Sequence, residues 1–508
     1  MTATRSIRNI GMAMTNSVVT VAVNLIALPF YLRFLGVEAY GLIGFYTMLQ
    51  AVSQALDLGL APTMSREAAR ATTNRHVSDL LHTLGIVYLC VSVLIMVLGV
   101  VTAPWIGDHW LSGKQLSTAV VVQAIMLMGV NLASRWPISL YQAALIGAGR
   151  LWLSSTVNIG ISIFGVLATI TVLRFLSPTI KAFFLVQAGM GLLQVSILRV
   201  TAWRVVGLPG ARFDIACLRR IWRFSFGMSG IAITSLAFTQ LDKIMLSKLL
   251  DLQDFGYYML AALLASGLQV FIAPAFNAVF PRFSSLVAGG QLDELSKIYS
   301  LGSAMLSAAL FPLALTLAFH AQDIVALWTG NADLAARVAP LVAMLAIGSA
   351  LNGMMHFPYA LQIAFGLTKI PFGINLGLLV LLAPMTMLLA MAFGGKGGAL
   401  SWLLVEIVYS FIGTWLTGSK VMRSAGAPWL LREVGVPMLV SSIIVLLGAW
   451  IAQSSGLQML PRLGVACIAT LLAFLVNIIS NPSSRHWVIA HATKAKRDAK
   501  TTSSCFRP

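Results

Sequence analysis

Long apolar runs alternate with short polar joints from one end of the chain to the other. Fourteen runs stand out, near 10–32, 39–62, 80–103, 118–147, 152–173, 180–198, 225–247, 257–280, 299–319, 338–366, 371–393, 397–416, 436–453 and 460–480. Each is long enough for an α-helix to cross a hydrocarbon layer about 30 Å thick. The fourth and tenth exceed what a bilayer needs, so each is expected to tilt, kink or protrude. Pro137 and Pro358 are the candidate kinks, because proline removes an interior helical hydrogen bond. The ten-residue alternation of a membrane β-barrel is missing from the sequence. The pattern predicts an all-α polytopic membrane protein with about fourteen transmembrane helices.

Composition sharpens this. The chain has 508 residues, 58% apolar and 10% charged, with a mean hydropathy of +0.87. Soluble domains carry about 25% charged residues, so this chain cannot cover a globular surface in water. The net charge of +18 would suit a nucleic-acid partner. The charges lie in short loops between apolar runs, however, and no such partner is expected. With the N-terminus inside, cytoplasmic segments hold 24 of the 34 Lys and Arg, nine fall outside, and Arg135 lies within a run. That bias places both termini in the cytoplasm. The first run follows Arg5 and Arg8, is too long for a signal-peptide core and lacks a small-residue cleavage site. It reads as a retained span.

The chain repeats itself. Leu35-Gly36-Val37-Glu38-Ala39-Tyr40-Gly41 is echoed 215 positions later by Leu250-Asp251-Leu252-Gln253-Asp254-Phe255-Gly256. Arg8 answers to Arg223, Gly11-Met12 to Gly227-Met228, and Arg66 to Arg282. Repetition at half length is the mark of a two-lobed transporter. Six spans separate the copies, so both lobes share one topology, related by an axis along the membrane normal. The expected organisation is a six-helix lobe over 1–205, a second over 206–420, two additional helices over 421–482 and a basic cytoplasmic tail over 483–508. The tail is expected to be disordered or to lie on the anionic inner leaflet.

Polar groups at membrane depth need a reason, since a charge there costs about 2.5–3.5 kcal/mol on insertion scales. Gln50, Gln54 and Asp57 share one helix face with Thr47. They form either a cavity wall with a protonatable carboxylate or a hydrogen-bond seam between helices. In the second copy Ser266 and Gln269 answer to the glutamines, but Asp57 meets Ile272 or Ala273. Arg135, beside Trp136 and Pro137, must meet water, a carboxylate or an anionic ligand. Asp242 and Lys243 are adjacent, about 100° apart on a helix, and are expected not to face the same way. One could line a cavity while the other pairs elsewhere or snorkels to the interface. Glu406, central in its run, is a proton-coupling group or a structural hydrogen-bonding one. His356, one turn after Asn352, reads as structural or coupling. Asn16, Thr20 and Asn24 form a further stripe that lines a cavity or joins helices.

Other chemistry is not signalled. Cys90, Cys217, Cys467 and Cys505 are scattered, with no metal spacing or disulfide framework. Gly394-Gly395-Lys396-Gly397-Gly398 lacks the spacing of a phosphate loop and reads as a tight turn. No cofactor, metal or hydrolytic triad is expected, and no loop exceeds about 25 residues, too short to house a membrane glycosyltransferase or polymerase. The chain does not read as an enzyme.

Leu28-Pro29-Phe30-Tyr31-Leu32-Arg33-Phe34-Leu35-Gly36-Val37-Glu38-Ala39-Tyr40-Gly41, Asp57-Leu58-Gly59-Leu60 and Ser65-Arg66-Glu67-Ala68-Ala69-Arg70 resemble the start of bacterial polysaccharide (O-antigen or exopolysaccharide) repeat-unit flippases. These belong to the multidrug/oligosaccharidyl-lipid/polysaccharide exporter superfamily. Leu241-Asp242-Lys243-Ile244 with Phe255-Gly256-Tyr257-Tyr258, then Ala326-Leu327-Trp328-Thr329-Gly330 and the segment 395–399, are similar to its later landmarks. The resemblance covers roughly residues 5–480. It implies two six-helix lobes around a central cavity in the bacterial inner membrane. It also implies alternating-access transfer of undecaprenyl-diphosphate-linked oligosaccharides to the periplasmic leaflet, driven by proton or sodium antiport. Carried onto this chain, Arg135 and Lys243 become diphosphate or sugar contacts, and Arg66 and Arg282 sit at the cytoplasmic mouths. Asp57 and Glu406 become candidate coupling carboxylates; from the polar spacing alone, Gln50, Gln54, Asn16 and Asn24 are added as cavity candidates and Asp242 and His356 as coupling candidates. A polysaccharide polymerase and a chain-length regulator are expected partners of a monomer in the lipid bilayer. The competing readings are a drug/cation antiporter of the same superfamily, a lipid II flippase and, from another class, a polysaccharide polymerase or ligase.

Overall fold

A computed structural model of the chain describes residues 3–55, 57, 59–70, 74–214 and 233–485. Arg223, Gly227-Met228, Cys217, Cys505 and the tail beyond residue 485 lie outside the described residues. Apart from one isolated parallel bridge between Ser112 and Asp251, the described regular structure is helical. Physics requires as much, because in hydrocarbon a helix satisfies all its backbone polar groups within one segment.

The first helix, α1 (Ala3–Ala55), holds the first apolar run and the second as far as residue 55. It is two arms joined at Gly36, whose φ of 82° and ψ of 170° are not helical. A straight helix of 53 residues would reach about 80 Å, more than twice a bilayer core. Glycine is the residue that adopts such a φ without a steric penalty.

The helices α2 (Leu60–Arg70), α3 (Asn74–His109), α4 (Thr118–Arg135), α5 (Ile138–Gly147), α6 (Leu151–Phe175) and α7 (Ile180–Val206) follow. Next come α8 over 233–249, α9 (Leu252–Ser266), α10 (Gln269–Ala288), α11 (Leu292–Phe319) and α12 (Ala321–Thr329). The chain continues through α13 (Ala332–Ala364), α14 (Lys369–Phe393) and α15 (Gly395–Lys420). It closes on α16 (Ala427–Ser454), which contains a π-helical turn over Leu430–Gly435, and α17 (Met459–Ser480). Among the described residues twelve helical stretches are long and apolar enough to cross a membrane. The first of them, Val18–Gln54, covers most of two of the fourteen runs, and the run near 225–247 is described only from residue 233. Pro137 separates α4 from α5, whereas α13 continues through both Pro340 and Pro358.

The chain divides into two compact units: Met1–Leu260 with Leu379–Gly398, and Ala261–Leu378 with Ala399–Pro508. In the first, Leu80, Leu84 and Tyr88 of α3 pack with Leu140 and Leu145 of α5 and Leu198 of α7. In the second, Ile272 and Phe283 of α10, Leu310 of α11, Met354 and Phe357 of α13, and Trp429 of α16 form the core. Large apolar side chains such as Val101, Leu388, Trp415 and Trp450 stand exposed, as lipid-facing groups do.

A strap over residues 109–116 ties the two copies of the echo together inside the first unit. Buried Glu38 accepts backbone N–H bonds from Lys114 at 2.6 Å, Gln115 at 2.8 Å and Leu116 at 3.4 Å. On the other copy, Lys114 pairs with Asp251 at 2.5 Å, and Leu252 donates its N–H to the Ser112 carbonyl at 3.0 Å. Trp110 Nε1 donates to Ser247 Oγ at 3.0 Å, and Lys248 donates to the His109 carbonyl.

Candidate functional site

The first unit contains a cavity of about 420 Å³, lined by α1, α4, α5, α7 and the joint before α2. Gln50, Gln54, Asp57 and Arg135 all line it, so the stripe on α1 and the buried arginine on α4 meet in one place. Ser53, Ser139, Gln142, Gln194 and the ring of Trp136 complete most of the wall.

Arg135 ends α4, where the break at Pro137 releases its side chain into the cavity. Its Nε donates to Asn131 Oδ1 at 3.1 Å and its Nη2 to Gln187 Oε1 at 2.8 Å. Asn131 Oδ1 also accepts from the Tyr46 hydroxyl at 2.9 Å. Both acceptors are uncharged amides. Among the described residues no carboxylate forms an ion pair with Arg135. Close by, Gln142 and Gln194 each donate to Asn158 Oδ1 at 2.9 Å. The arrangement is one guanidinium held by amides, with the carboxylate of Asp57 elsewhere on the same wall, able to bind an anionic oxygen and to donate to and accept from hydroxyls.

Asp57 is tied down more firmly than a bare cavity carboxylate. Its Oδ2 accepts the Ala61 N–H at 3.1 Å and its carbonyl accepts the Leu60 N–H at 2.9 Å, which caps α2. Its Oδ1 accepts from the Tyr88 hydroxyl of α3. The residue is thus on the cavity wall and also in a seam between helices.

The remaining candidates are spread out. Arg66 pairs with Glu67 at 2.9 Å and Arg282 with Glu294 at 2.5 Å, so the two repeat-related arginines each have a carboxylate beside them. Asp242 and Lys243 correct an expectation. Lys243 Nζ lies 3.2 Å from Asp242 Oδ1 and 2.9 Å from the Thr239 carbonyl. The 100° offset applies to the Cα–Cβ bonds, and a four-carbon stem spans it. Tyr258 completes that cluster, donating to Asp242 Oδ2 at 2.5 Å. Asn24 donates to the Thr20 carbonyl of its own helix at 2.9 Å, and Asn16 keeps a buried Oδ1 without a partner among the described residues.

A second cluster lies in the second unit. Glu406 of α15 is fully buried and accepts from Asn352 Nδ2 of α13 at 2.9 Å. The Asn352 carbonyl lies 3.1 Å from His356 Nδ1. The His356 ring meets Phe276 edge to face at 5.9 Å. Asn352 therefore bridges the two titratable groups. Among the described residues no group of His, Cys, Asp and Glu could hold a metal ion.

A sequence profile described as "Polysaccharide biosynthesis protein" matches residues 6–287, more than half of the chain. The chain belongs to this family. It is 23% identical over 407 residues to a putative O-antigen transporter of Shigella flexneri, covering 77% of this chain and 93% of that one. The fold of this polysaccharide biosynthesis family member is similar to that of the lipid II flippase MurJ in its inward closed conformation. The TM-score is 0.66 at 12% identity, over 94% of this chain and 99% of the other. It is also similar to an inward-facing multidrug resistance MATE family transporter of the MOP superfamily, with TM-score 0.64, 12% identity and coverage of 80% and 95%. The fold is like theirs, that of an all-α polytopic membrane protein.

Much of the polar network in and behind the cavity wall of this family member escaped the sequence reading: Gln142 and Gln194 line the cavity, and Asn131, Asn158 and Gln187 bond to its lining residues. Asn131, Gln142, Asn158, Gln187 and Gln194 are neutral amides and stand out little against an apolar run. Two signals were present. Asn131 lies one turn before Arg135, and Gln187 and Gln194 lie two turns apart on one face of α7. Two buried carboxylates, Glu38 and Glu433, were also missed. The latter is held by Ser300 at 2.7 Å and Asn481 at 2.6 Å.

Proposed function

We propose that this protein flips undecaprenyl-diphosphate-linked oligosaccharide repeat units from the cytoplasmic to the periplasmic leaflet of a bacterial inner membrane by alternating access. The amide-lined cavity around Arg135 carries the reading. A sugar presents hydroxyls that must exchange hydrogen bonds with water for hydrogen bonds with protein, and amides supply both donors and acceptors. The diphosphate and any acidic sugar are anionic, and a guanidinium without a carboxylate partner suits them. The name of the Shigella flexneri relative, an O-antigen transporter, supports the same cargo class. A cavity for cationic drugs would place an uncompensated carboxylate where this one has Arg135.

In this reading the chain has fourteen spans: two six-helix lobes over 1–205 and 206–420, and two additional helices over 421–482. Both termini are cytoplasmic. Arg66 and Arg282 lie at the cytoplasmic mouths, where they exchange their carboxylate neighbours for the arriving headgroup. Lys243 does the same with Asp242 further along the path. Proton coupling is carried by Glu406, with Asn352 and His356 beside it. Delivery of flipped units to a polymerase and a chain-length regulator completes the role.

Deleting the gene in a strain with no second flippase tests the reading. Lipid-linked repeat units should accumulate on the cytoplasmic leaflet. Normal delivery to the periplasmic face would overturn it.

A further inference from the structure

Arg135 sits in its cavity with a charge that its neighbours do not cancel, and the reason lies one helical turn back. Asn131 is fully buried. Its Oδ1 accepts from Arg135 Nε at 3.1 Å and from the Tyr46 hydroxyl at 2.9 Å, which uses both lone pairs. Its Nδ2 donates to the Phe184 carbonyl at 3.4 Å. That third bond decides which way round the amide stands. Flipped, it would aim an NH2 group at the guanidinium and an oxygen at the Phe184 carbonyl, losing the bonds to both. Three contacts from α1, α4 and α7 thus fix one acceptor oxygen against Arg135. Gln187 Oε1 holds the other edge at 2.8 Å, also without charge.

We propose that Asn131 is a positioning residue for the cavity: it aims the Arg135 guanidinium at the cargo while leaving its positive charge uncompensated. The inference rests on the cavity reading above. An aspartate of the same shape could accept the same two bonds, but it would form a buried ion pair. The guanidinium would then be spent on the protein, and the cargo would have to compete with a fixed carboxylate. An apolar residue would leave the tyrosine hydroxyl and one guanidinium edge without their acceptor. A neutral amide avoids both faults. Gly191 contributes to the same arrangement from α7, because a Cβ there would stand 3.0 Å from Arg135 Cγ and 2.5 Å from Ser134 Oγ.

The test uses the full-length protein returned to a flippase-deletion strain as the native chain, Asn131→Asp or Arg135→Ala. Surface polysaccharide, the amount of protein in the membrane and the unfolding temperature in detergent are read for each. Asn131→Asp should reach the membrane at the native level, unfold no earlier than the native chain, and still lower export about ten-fold or more, the scale of a hydrogen bond to a charged group. An Asn131→Asp protein that accumulates but unfolds earlier, with export reduced in step, marks a merely structural asparagine and overturns the proposal. Native export by Asn131→Asp overturns it too, and if Arg135→Ala fails in the same experiment the cavity reading survives. Native export by Arg135→Ala defeats the cavity reading itself. Should Asn131→Asp not accumulate, Gln187→Glu sets a carboxylate against the other edge of the guanidinium and is judged by the same outcomes.

Discussion

Gly41 and Gly256 occupy equivalent places in the sequence repeat, and each makes room for the other's copy. A Cβ on Gly41 would stand 2.2 Å from the carbonyl oxygen of Leu252; one on Gly256 would stand 2.5 Å from that of Val37. Val37 and Leu252 are themselves 215 positions apart, so the contact is reciprocal. The echo therefore marks a place where the two copies touch backbone to backbone, with no space for a methyl group on either side. Gly41→Ala and Gly256→Ala should each destabilise the protein by about 1–3 kcal/mol, the usual cost of overpacking. The two losses should be similar because the contacts are. Unfolding temperature in detergent measures this, and an unchanged value for either variant would refute the reciprocal packing.

The strap beside this contact has a defined pH window. Burial pushes the Asp251 carboxyl up, but the hydrogen bonds from Lys114 and from the backbone of Asp254 and Gln253 outweigh it. The group is held below its ordinary 3.8. The hydrogen bond from Asp251 holds the Lys114 ammonium above its ordinary 10.5. A lowered carboxyl stabilises the fold above its unfolded value and loses that effect as pH falls through the folded one. A raised ammonium stabilises below its unfolded value and loses the effect as pH rises through the folded one. The pair is thus complete from about pH 4 to about pH 10.5. Protection of the Leu252 amide, corrected for intrinsic exchange, should be flat between about pH 5 and about pH 9 and weaken outside the window. A transition inside it would show that another group controls the strap.

What could be read in advance follows from how each feature is encoded. The helices and the repeat are local or periodic signals, and both were legible. Gln50, Gln54 and Asp57 announced a face by spacing alone, and Arg135 by its cost in lipid. Glu38 gave no such notice. It stands at a span end, where a charge is ordinary, and its three backbone donors come from residues 114–116, far away in sequence. The length of the joint at Gly36 was hidden for the opposite reason: the polar stretch between the two arms looks like a loop, yet only one residue leaves helical geometry. The contact between Asp242 and Lys243 depends on where a flexible stem folds, and residue spacing does not fix that.

Gly191 offers a way to move Arg135 without touching its charge. The methyl group of Gly191→Ala would meet Ser134 Oγ and Arg135 Cγ, forcing the stem of the arginine aside. Gly189, two residues earlier on the same helix, has nothing within 4 Å of a built Cβ. Gly189→Ala should stabilise α7 slightly, by up to about 1 kcal/mol, and leave export unchanged. Gly191→Ala should lower export several-fold at a comparable membrane level. Equal export by the two variants would mean that the placement of Arg135 does not matter.

Asp57 and Glu406 can be separated by the same chemical change. Both carboxylate oxygens of Asp57 are occupied, one by the Ala61 N–H and one by the Tyr88 hydroxyl. An asparagine can keep the cap, and its NH2 group can donate to Tyr88 in place of the lost acceptor. Asp57→Asn should therefore insert and export normally, whereas Asp57→Ala should lose about 0.5–2 kcal/mol of stability with the cap. Glu406 is fully buried, and its Oε1 accepts a hydrogen bond from Asn352 Nδ2. Glu406→Gln preserves the shape and that hydrogen bond but cannot take up or release a proton. It should abolish gradient-driven export while leaving the protein in the membrane. Transport into inverted vesicles, measured with and without an imposed pH gradient, decides the matter. If Asp57→Asn loses its response to the gradient and Glu406→Gln keeps it, the coupling group lies on the cavity wall of the first unit and not in the cluster of the second.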